Sequence, residues 1–565
     1  MSNISGMFDG SDEDLEARFP PVEKTDENGA SEAERGTSAE RTRLNSETGA
    51  ANEEKRGESN IFCRFIVVRG MALIYLIAFF SLFFQIDGLF SSKGILPIAD
   101  QMKAFADSFA GSGPNKFLAF PAVFWVSSSD SFLKICCLSG MLFSGLSFMG
   151  IFCGPSLLIS WALYLSFLTA GGDFMSYQWD ILLLEAGILA ALWAPWTVAS
   201  APLPKVGGND GPPSKVLLWL FRWLLFRLMF MSGMCKLMSG DEAWWSLTAL
   251  SYHYETQPLP TPAAWFFSNL PMWFHKLSCV IMFGIEIVAP FLIFGNSFTR
   301  RIACGALASL QILILFTGNY TFFNLLTLLL CLCLIDDSLW ARILPKSLQE
   351  SLVLAADTPK RKWSVSTVLH KAVVVPLVAL ICFVNVSMLG LRTAGTSLTP
   401  APVLEFLSTL QPLHLVNGYG LFAVMTQKRI EIELEGSNDN LEWKAYEFAF
   451  KPGDLKRPPP IVAPLQPRLD WQMWFAALGR FEDNPWFAAF VQKILEGDGE
   501  VTALLAKNPF PNKPPLFLRA KSYQYHFSDY NELFSTGSWW RREYSGEYMP
   551  LATLKRSSNA SGEDL

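Results

Sequence analysis

The sequence predicts a polytopic α-helical membrane bundle of about nine spans, followed by a soluble α+β or β-rich domain. Three observations carry that prediction. Hydrophobic residues make up 51% of the 565-residue chain and fall in long blocks, unlike the dispersed pattern of a soluble core. Arg222, Arg227, Lys236 and Glu286 lie inside such blocks, where an ionisable group is costly unless it is paired or solvated within a bundle. After Gly390 the blocks give way to short alternating segments separated by turn residues, which is the pattern of strands.

The formal net charge of −6 is unevenly spread. Residues 1–60 carry Asp12-Glu13-Asp14 and Glu53-Glu54 and almost nothing apolar. Such a segment buries too little surface to offset its ordering entropy, so a disordered acidic cytosolic tail is expected. It lacks the Arg-rich, acid-poor composition of a transit peptide, and the first apolar block reads as an uncleaved signal anchor.

A span needs about 20 mostly apolar residues, because a helix rises about 1.5 Å per residue across a core of roughly 30 Å. That rule places spans near 65–86, 131–152, 154–171, 176–196, 215–237, 274–294, 301–318, 320–336 and 369–390, within a multi-pass domain of residues 61–390. Lys205, Lys215, Arg300, Arg301, Arg342, Lys346 and Lys360-Arg-Lys362 fall in alternate connections. The excess of basic residues puts those loops and the N-terminal tail in the cytosol, and an odd number of spans puts everything after Gly390 on the far side. The connector from Asp241 to Trp273, with Trp244, Trp245 and Trp265 and four prolines, is expected to lie along that far membrane surface.

Depth arithmetic arranges the charges. Entering from the far side near Ser176, Asp180 lies about 6 Å in and Glu185 about 14 Å in. From Lys215 on the cytosolic side, Arg227 lies about 18 Å in, Lys236 comes near the far end, and Glu286 falls near the midplane. Two layers are therefore expected, Asp180 with Lys236, and Glu185 and Glu286 around Arg227. Such a network either holds the bundle together or serves as a proton relay or substrate pocket.

In residues 391–550, Arg429–Glu435 and Leu441–Phe450 around the turn Gly436–Asn440 predict a β-hairpin. Asn484-Pro485-Trp486 opens a helix to about Leu495, and Leu516–Phe527 reads as a strand. Residues 551–565 read as a disordered tail. Trp443, Arg468, Trp471 and Trp474 have the composition of a recognition surface, and Arg468-Leu-Asp470-Trp471 serves equally as the domain's own core and internal salt bridge. The ten cysteines lie in or beside apolar runs without CxxC spacing, which points to small buried hydrophobes rather than thiol exchange or metal binding. The five histidines lack ligand spacing, no nucleotide or nucleophile motif is found, and neither a cofactor nor nucleic acid is expected. Tyr252-His253-Tyr254-Glu255 is the one tetrad suited to acid/base work near neutral pH; its alternative is a structural place at the interface. Of the sequons at Asn3, Asn319, Asn385 and Asn559, only Asn559 sits where the expected topology allows a glycan.

Tyr177-Gln-Trp-Asp180, Leu182-Leu-Leu-Glu185, Arg227-Leu-Met-Phe-Met-Ser-Gly233, Lys236-Leu-Met-Ser-Gly-Asp241, Tyr252-His-Tyr-Glu-Thr-Gln-Pro-Leu-Pro260, Thr317-Gly-Asn-Tyr-Thr-Phe-Phe-Asn324 and Ala463-Pro-Leu-Gln-Pro-Arg-Leu-Asp-Trp-Gln-Met-Trp474 resemble the lipase maturation factor family over roughly residues 60–530. The resemblance implies an endoplasmic reticulum membrane protein with a lumenal soluble domain. Its implied partners are immature secreted dimeric lipases, together with lumenal chaperones and oxidoreductases and membrane lipid. It implies a folding and assembly factor rather than an enzyme. The membrane region is also distantly similar to that of vitamin K-dependent carboxylase, which keeps a membrane-embedded enzyme or lipid-handling protein as the alternative. The acidic N-terminal tail has no counterpart in the family, and Gly562-Glu-Asp-Leu565 is not a retrieval signal.

Overall fold

The computed structural model describes residues 59–108, 116–198, 213–357, 365–394 and 400–554. The expected tail over residues 1–60 falls almost wholly outside them, as does Asn559. Among the described residues, six helices are long and apolar enough to cross a membrane. They are α1 (Ile61–Phe83), α2 (Asp130–Met149), α3 (Cys153–Ala170), then, beyond the shorter α4 (Gln178–Trp193), α5 (Lys215–Met238), the composite Met272–Phe294 that begins with α6 (Met272–Phe283), and α7 (Ser297–Thr317). Helices α8 (Phe323–Leu332) and α9 (Asp337–Ile343) make a seventh if the pair, bent by 111°, counts as one span.

Against the expectation of about nine spans, six or seven qualify by length and composition among the described residues. Counting apolar residues credits spans with the turns that flank them. The segment predicted at 176–196 is helical for only 16 residues, starting after the extended Tyr177 and stopping at Trp193 before Pro195. The segment predicted at 369–390 lies within the 30-residue helix α10 (Val365–Ala394), which carries Pro376 inside it. The segment predicted at 320–336 turns sharply instead of continuing. Its bend brings the Asp337 carboxylate under the start of α1, where it accepts from the N–H groups of Ile61 (2.6 Å), Phe62 and Cys63 (both 3.2 Å). A helix N-terminus leaves those donors without partners, and a carboxylate there also meets the positive end of the helix dipole.

Helices α1 to α4 pack in sequence, with α1 also against α8, and α5 closes the bundle against the composite span. That span changes its winding from α-helix to a π turn over Gly284–Val288 and a 3₁₀ turn over Ala289–Phe294. Pro290 explains the change, since it cannot donate to the carbonyl four residues back and its ring crowds it. The π turn carries Glu286 inward. Gly233 on α5 allows the approach: a Cβ there would lie 2.7 Å from Ile287 and 3.0 Å from the Glu286 Cβ.

The C-terminal domain is built on an antiparallel sheet of order β2-β1-β5-β6, with β1 (Arg429–Ser437), β2 (Lys444–Ala445), β5 (Phe517–Phe527) and β6 (Trp540–Ala552); β3 (Glu447–Phe448) pairs with β4 (Leu505–Lys507). The expected hairpin forms but is short. β1 runs its full length along β5, from Arg429 opposite Tyr525 to Ser437 opposite Phe517, and meets β2 at two residues only. Asp439 explains the short hairpin, because its carboxylate holds the N–H groups of Leu441 and Glu442 at 2.9 Å in the turn. Across β1 and β5, Glu435 meets Arg519 at 2.7 Å and Lys521 at 3.1 Å, a complementarity that helps to set the register. After β1, the two longest helices of the domain are α11 (Arg468–Ala476), against the bundle, and α12 (Pro485–Glu496), which starts at the expected Asn484-Pro485 and ends at the left-handed Gly497.

Candidate functional site

The most concentrated buried chemistry lies where the C-terminal domain meets the helices. Asp180 stands in the first turn of α4, and its partner is Arg468 of α11. The Arg468 Nη1 donates to Oδ2 at 3.0 Å and its Nη2 to Oδ1 at 3.2 Å; the Tyr164 hydroxyl donates to Oδ1 at 2.5 Å. Arg468 also donates to the Phe174 carbonyl at 2.5 Å. Its residue is 1% exposed and Asp180 is 0% exposed, so every polar atom of the pair depends on these partners.

A second pair joins Glu185 to Arg227. The loop before β1 closes over it. Glu185 Oε2 accepts from the Asn417 N–H at 2.8 Å, the Asn417 side chain at 3.1 Å and the Tyr419 hydroxyl at 2.7 Å, while Arg227 donates to the Asn417 carbonyl at 2.8 Å. The third pair, Lys236 with Glu286 at 2.7 Å, lies within the helical region beside the π turn.

The expected layers are therefore corrected. Glu185 and Arg227 are paired as expected, but Lys236 takes Glu286 and not Asp180, and Asp180 takes Arg468. Depth along the helices ranks only the charges inside the apolar blocks, so the sequence offers no sign that the partner of Asp180 comes from outside them. Arg222, also on α5, donates to the Cys333 carbonyl at 3.0 Å.

Helix α11 joins the two regions because residues two apart on a helix face opposite ways. Arg468 enters the bundle. Asp470 points into the domain, where its Oδ1 accepts from the N–H groups of Phe450 and Lys451, both at 2.8 Å, so no Arg468–Asp470 salt bridge forms. Trp471 packs on Trp179 with ring centroids 4.6 Å apart, and Trp474 donates to the Thr256 carbonyl at 2.9 Å. Arg468, Trp471 and Trp474 are all buried, which corrects their reading as an exposed recognition surface. Trp443 is partly exposed under the Arg519 guanidinium, 3.8 Å from its ring centroid.

Further anchors carry no sequence signal beyond their place in the quoted blocks. Arg429 of β1 donates to the carbonyls of Glu255 (2.7 Å), Gln257 and Pro258 (2.9 Å), and pairs with Glu431 at 2.7 Å. Asn319 donates to the Pro460 carbonyl at 2.8 Å and accepts from Val462 at 2.7 Å and Ala463 at 3.0 Å, which occupies its sequon amide. Glu255 accepts from the Phe527 N–H at 2.8 Å and contacts His526 at 3.0 Å, so it serves as an anchor. Burial, then the Lys236 charge, pushes His253 down to about 4. It is neutral near pH 7, which removes the basis for the tetrad as an acid/base centre at that pH. Eight of the ten cysteines are buried. Among the described residues no group of three or more His, Cys, Asp or Glu is placed to hold a metal ion.

The two regions that these contacts join are matched by two family models, the lipase maturation factor transmembrane domain over residues 62–342 and the lipase maturation factor C-terminal domain over residues 415–550. Lipase maturation factor 2 of Homo sapiens is 36% identical over 594 aligned residues, covering 87% of this chain and 82% of that protein. The Rattus norvegicus lipase maturation factor 2 is 37% identical, covering 86% and 83%. Lipase maturation factor 1 of Bos taurus is 33% identical, covering 86% and 88%. No solved structure matches the chain. With both domain models matched in order and relatives aligned over more than four-fifths of their length, the chain is a member of the lipase maturation factor family.

Proposed function

We propose that this chain is an endoplasmic reticulum membrane factor that helps secreted lipases fold, assemble into dimers and become active, without catalysis of its own. The observation that carries the reading is the family match, which runs through both the membrane region and the C-terminal domain. In this reading the N-terminal tail is cytosolic and the domain lumenal, within reach of chaperones and oxidoreductases. The bundle holds the domain at the membrane, and exposed apolar residues of the domain, Ile461, Leu465, Phe475 and Leu478, cover apolar surface on immature clients. Binding unassembled chains in preference to finished dimers shifts populations with no chemical step.

Co-expression of a secreted lipase with and without this protein tests the role. The expected result without it is roughly unchanged lipase mass, lower activity, and a shift of the intracellular pool from dimer to aggregate on sedimentation. Unchanged specific activity and assembly rule the role out. Topology has its own readout: Asn559 is expected to carry a glycan sensitive to endoglycosidase and Asn3 none. A glycan on Asn3 alone inverts the topology.

A further inference from the structure

Between α5, α6, α7 and α8, and closed at one end by Trp244, His253 and Phe422, lies a cavity of about 530 Å³. That volume is within the roughly 300–1,000 Å³ of small-molecule sites and far above the water-sized gaps of a close-packed interior. Most of the wall is aliphatic or aromatic. Leu277 and Ile281 of α6 and Leu313 of α7 line it and are also exposed on the outside of the bundle. Both helices belong to segments of span length, and α7 packs on the Gly284–Phe294 part of the composite span rather than along α6. The gap between them therefore faces hydrocarbon when the bundle lies in a bilayer, and the molecules that reach it sideways are lipids.

Polar groups line the same cavity. Asn324 is 0% exposed; its Nδ2 donates to Gln311 Oε1 at 2.9 Å, and its Oδ1 accepts no hydrogen bond. Glu286 gives Oε2 to Lys236, and its Oε1 meets no donor among the described residues. Both residues are cavity-lining. An acceptor left without a donor in such a wall is costly, so the wall favours a ligand that supplies donors. Lys236 balances the Glu286 charge, which leaves nothing to attract an anionic head. Of the uncharged lipid head groups, a glyceryl group with free hydroxyls offers one donor for each acceptor.

We propose that this cavity binds an acylglycerol with free hydroxyls. The lipid enters from the bilayer between α6 and α7, its acyl chain lies along Leu277, Ile281 and Leu313, one hydroxyl donates to Glu286 Oε1, and a second donates to Asn324 Oδ1 once the buried Asn324 amide turns toward the cavity. Leu421 and Phe422 of the C-terminal domain close one end of the cavity, but its occupancy is measured with no lipase present, so the proposal stands or falls apart from the maturation reading.

The test uses the full chain in phosphatidylcholine nanodiscs with a monoacylglycerol carrying a photoactivatable diazirine on its acyl chain, followed by digestion and mass spectrometry. Label is expected on peptides from residues 272–286 and 309–327. Unlabelled monoacylglycerol should reduce it about tenfold, whereas the matching fatty acid or added phosphatidylcholine should not. Ile281→Trp, which narrows the mouth from a half-exposed position, should lower labelling by a similar factor. Val288→Trp, on the same composite span but away from the cavity, should not change it. Asn324→Leu should weaken competition by monoacylglycerol. If that variant fails to accumulate, Ile281→Trp and the competition series decide. Equal labelling of Ile281→Trp and the natural chain, or equal competition by phosphatidylcholine, means contact with bulk bilayer lipid and overturns the proposal. Equal competition by fatty acid shows that the hydroxyls are not read and overturns it as well.

Discussion

Asp180→Asn is expected to cost about 3–5 kcal/mol, because it leaves the Arg468 guanidinium charged and buried without its counter-ion. The amide makes matters worse than a simple loss of charge. Both Asp180 oxygens accept from Arg468, and Oδ1 also accepts from Tyr164, so the new NH₂ must face at least one donor. Since Arg468 belongs to the C-terminal domain, the damage should reach the joint between domain and bundle. In detergent-solubilised full-length protein, the variant should melt earlier and be cleaved sooner by protease in residues 400–470. The double variant Asp180→Leu/Arg468→Met removes both charges together and should recover most of the loss, as apolar replacement of a buried pair usually does. If Asp180→Asn melts and digests like the natural chain, the pair is not what holds the domain.

Glu185→Gln should be nearly as severe. Oε1 faces Arg227, and Oε2 faces the Asn417 N–H, the Asn417 amide and the Tyr419 hydroxyl. Whichever way a glutamine turns, its NH₂ meets donors, and Arg227 loses its counter-ion. A cost of about 3–5 kcal/mol follows, and the expected outcome is low abundance on immunoblotting before any effect on lipase can be read. Normal abundance and client binding with lost function would instead mark Glu185 as part of a working pocket. The geometry favours a structural role, because the pair is covered by the 417–419 loop and lies outside the residues that line the cavity.

Particular residues show how far the sequence could be read. Long apolar blocks locate α1, α2, α3, α5, the composite span and α7, because a bilayer demands length and apolarity, and both are local properties. Asn484-Pro485 locates α12 for the same reason, as capping chemistry is local. The fourth predicted span was too long because apolar turns count as helix until the backbone is seen. The hairpin is shorter than its sequence suggests because adjacency in sequence favours β2, whereas β5, some 80 residues further on, is the longer partner of β1.

The chain by itself determined the class of fold, the order of its two regions, the family, and the identity of the residues too charged to be left alone in an apolar block. Tertiary structure decided whom those residues meet. Asp180 pairs with a residue 288 positions away, Lys236 meets Glu286 only because Pro290 forces a π turn and Gly233 lets it approach, and four helices diverge enough to enclose a cavity. Each outcome depends on long-range approach. Charge and hydropathy specify what a side chain requires of its surroundings, and only the packed chain specifies which distant atoms supply it.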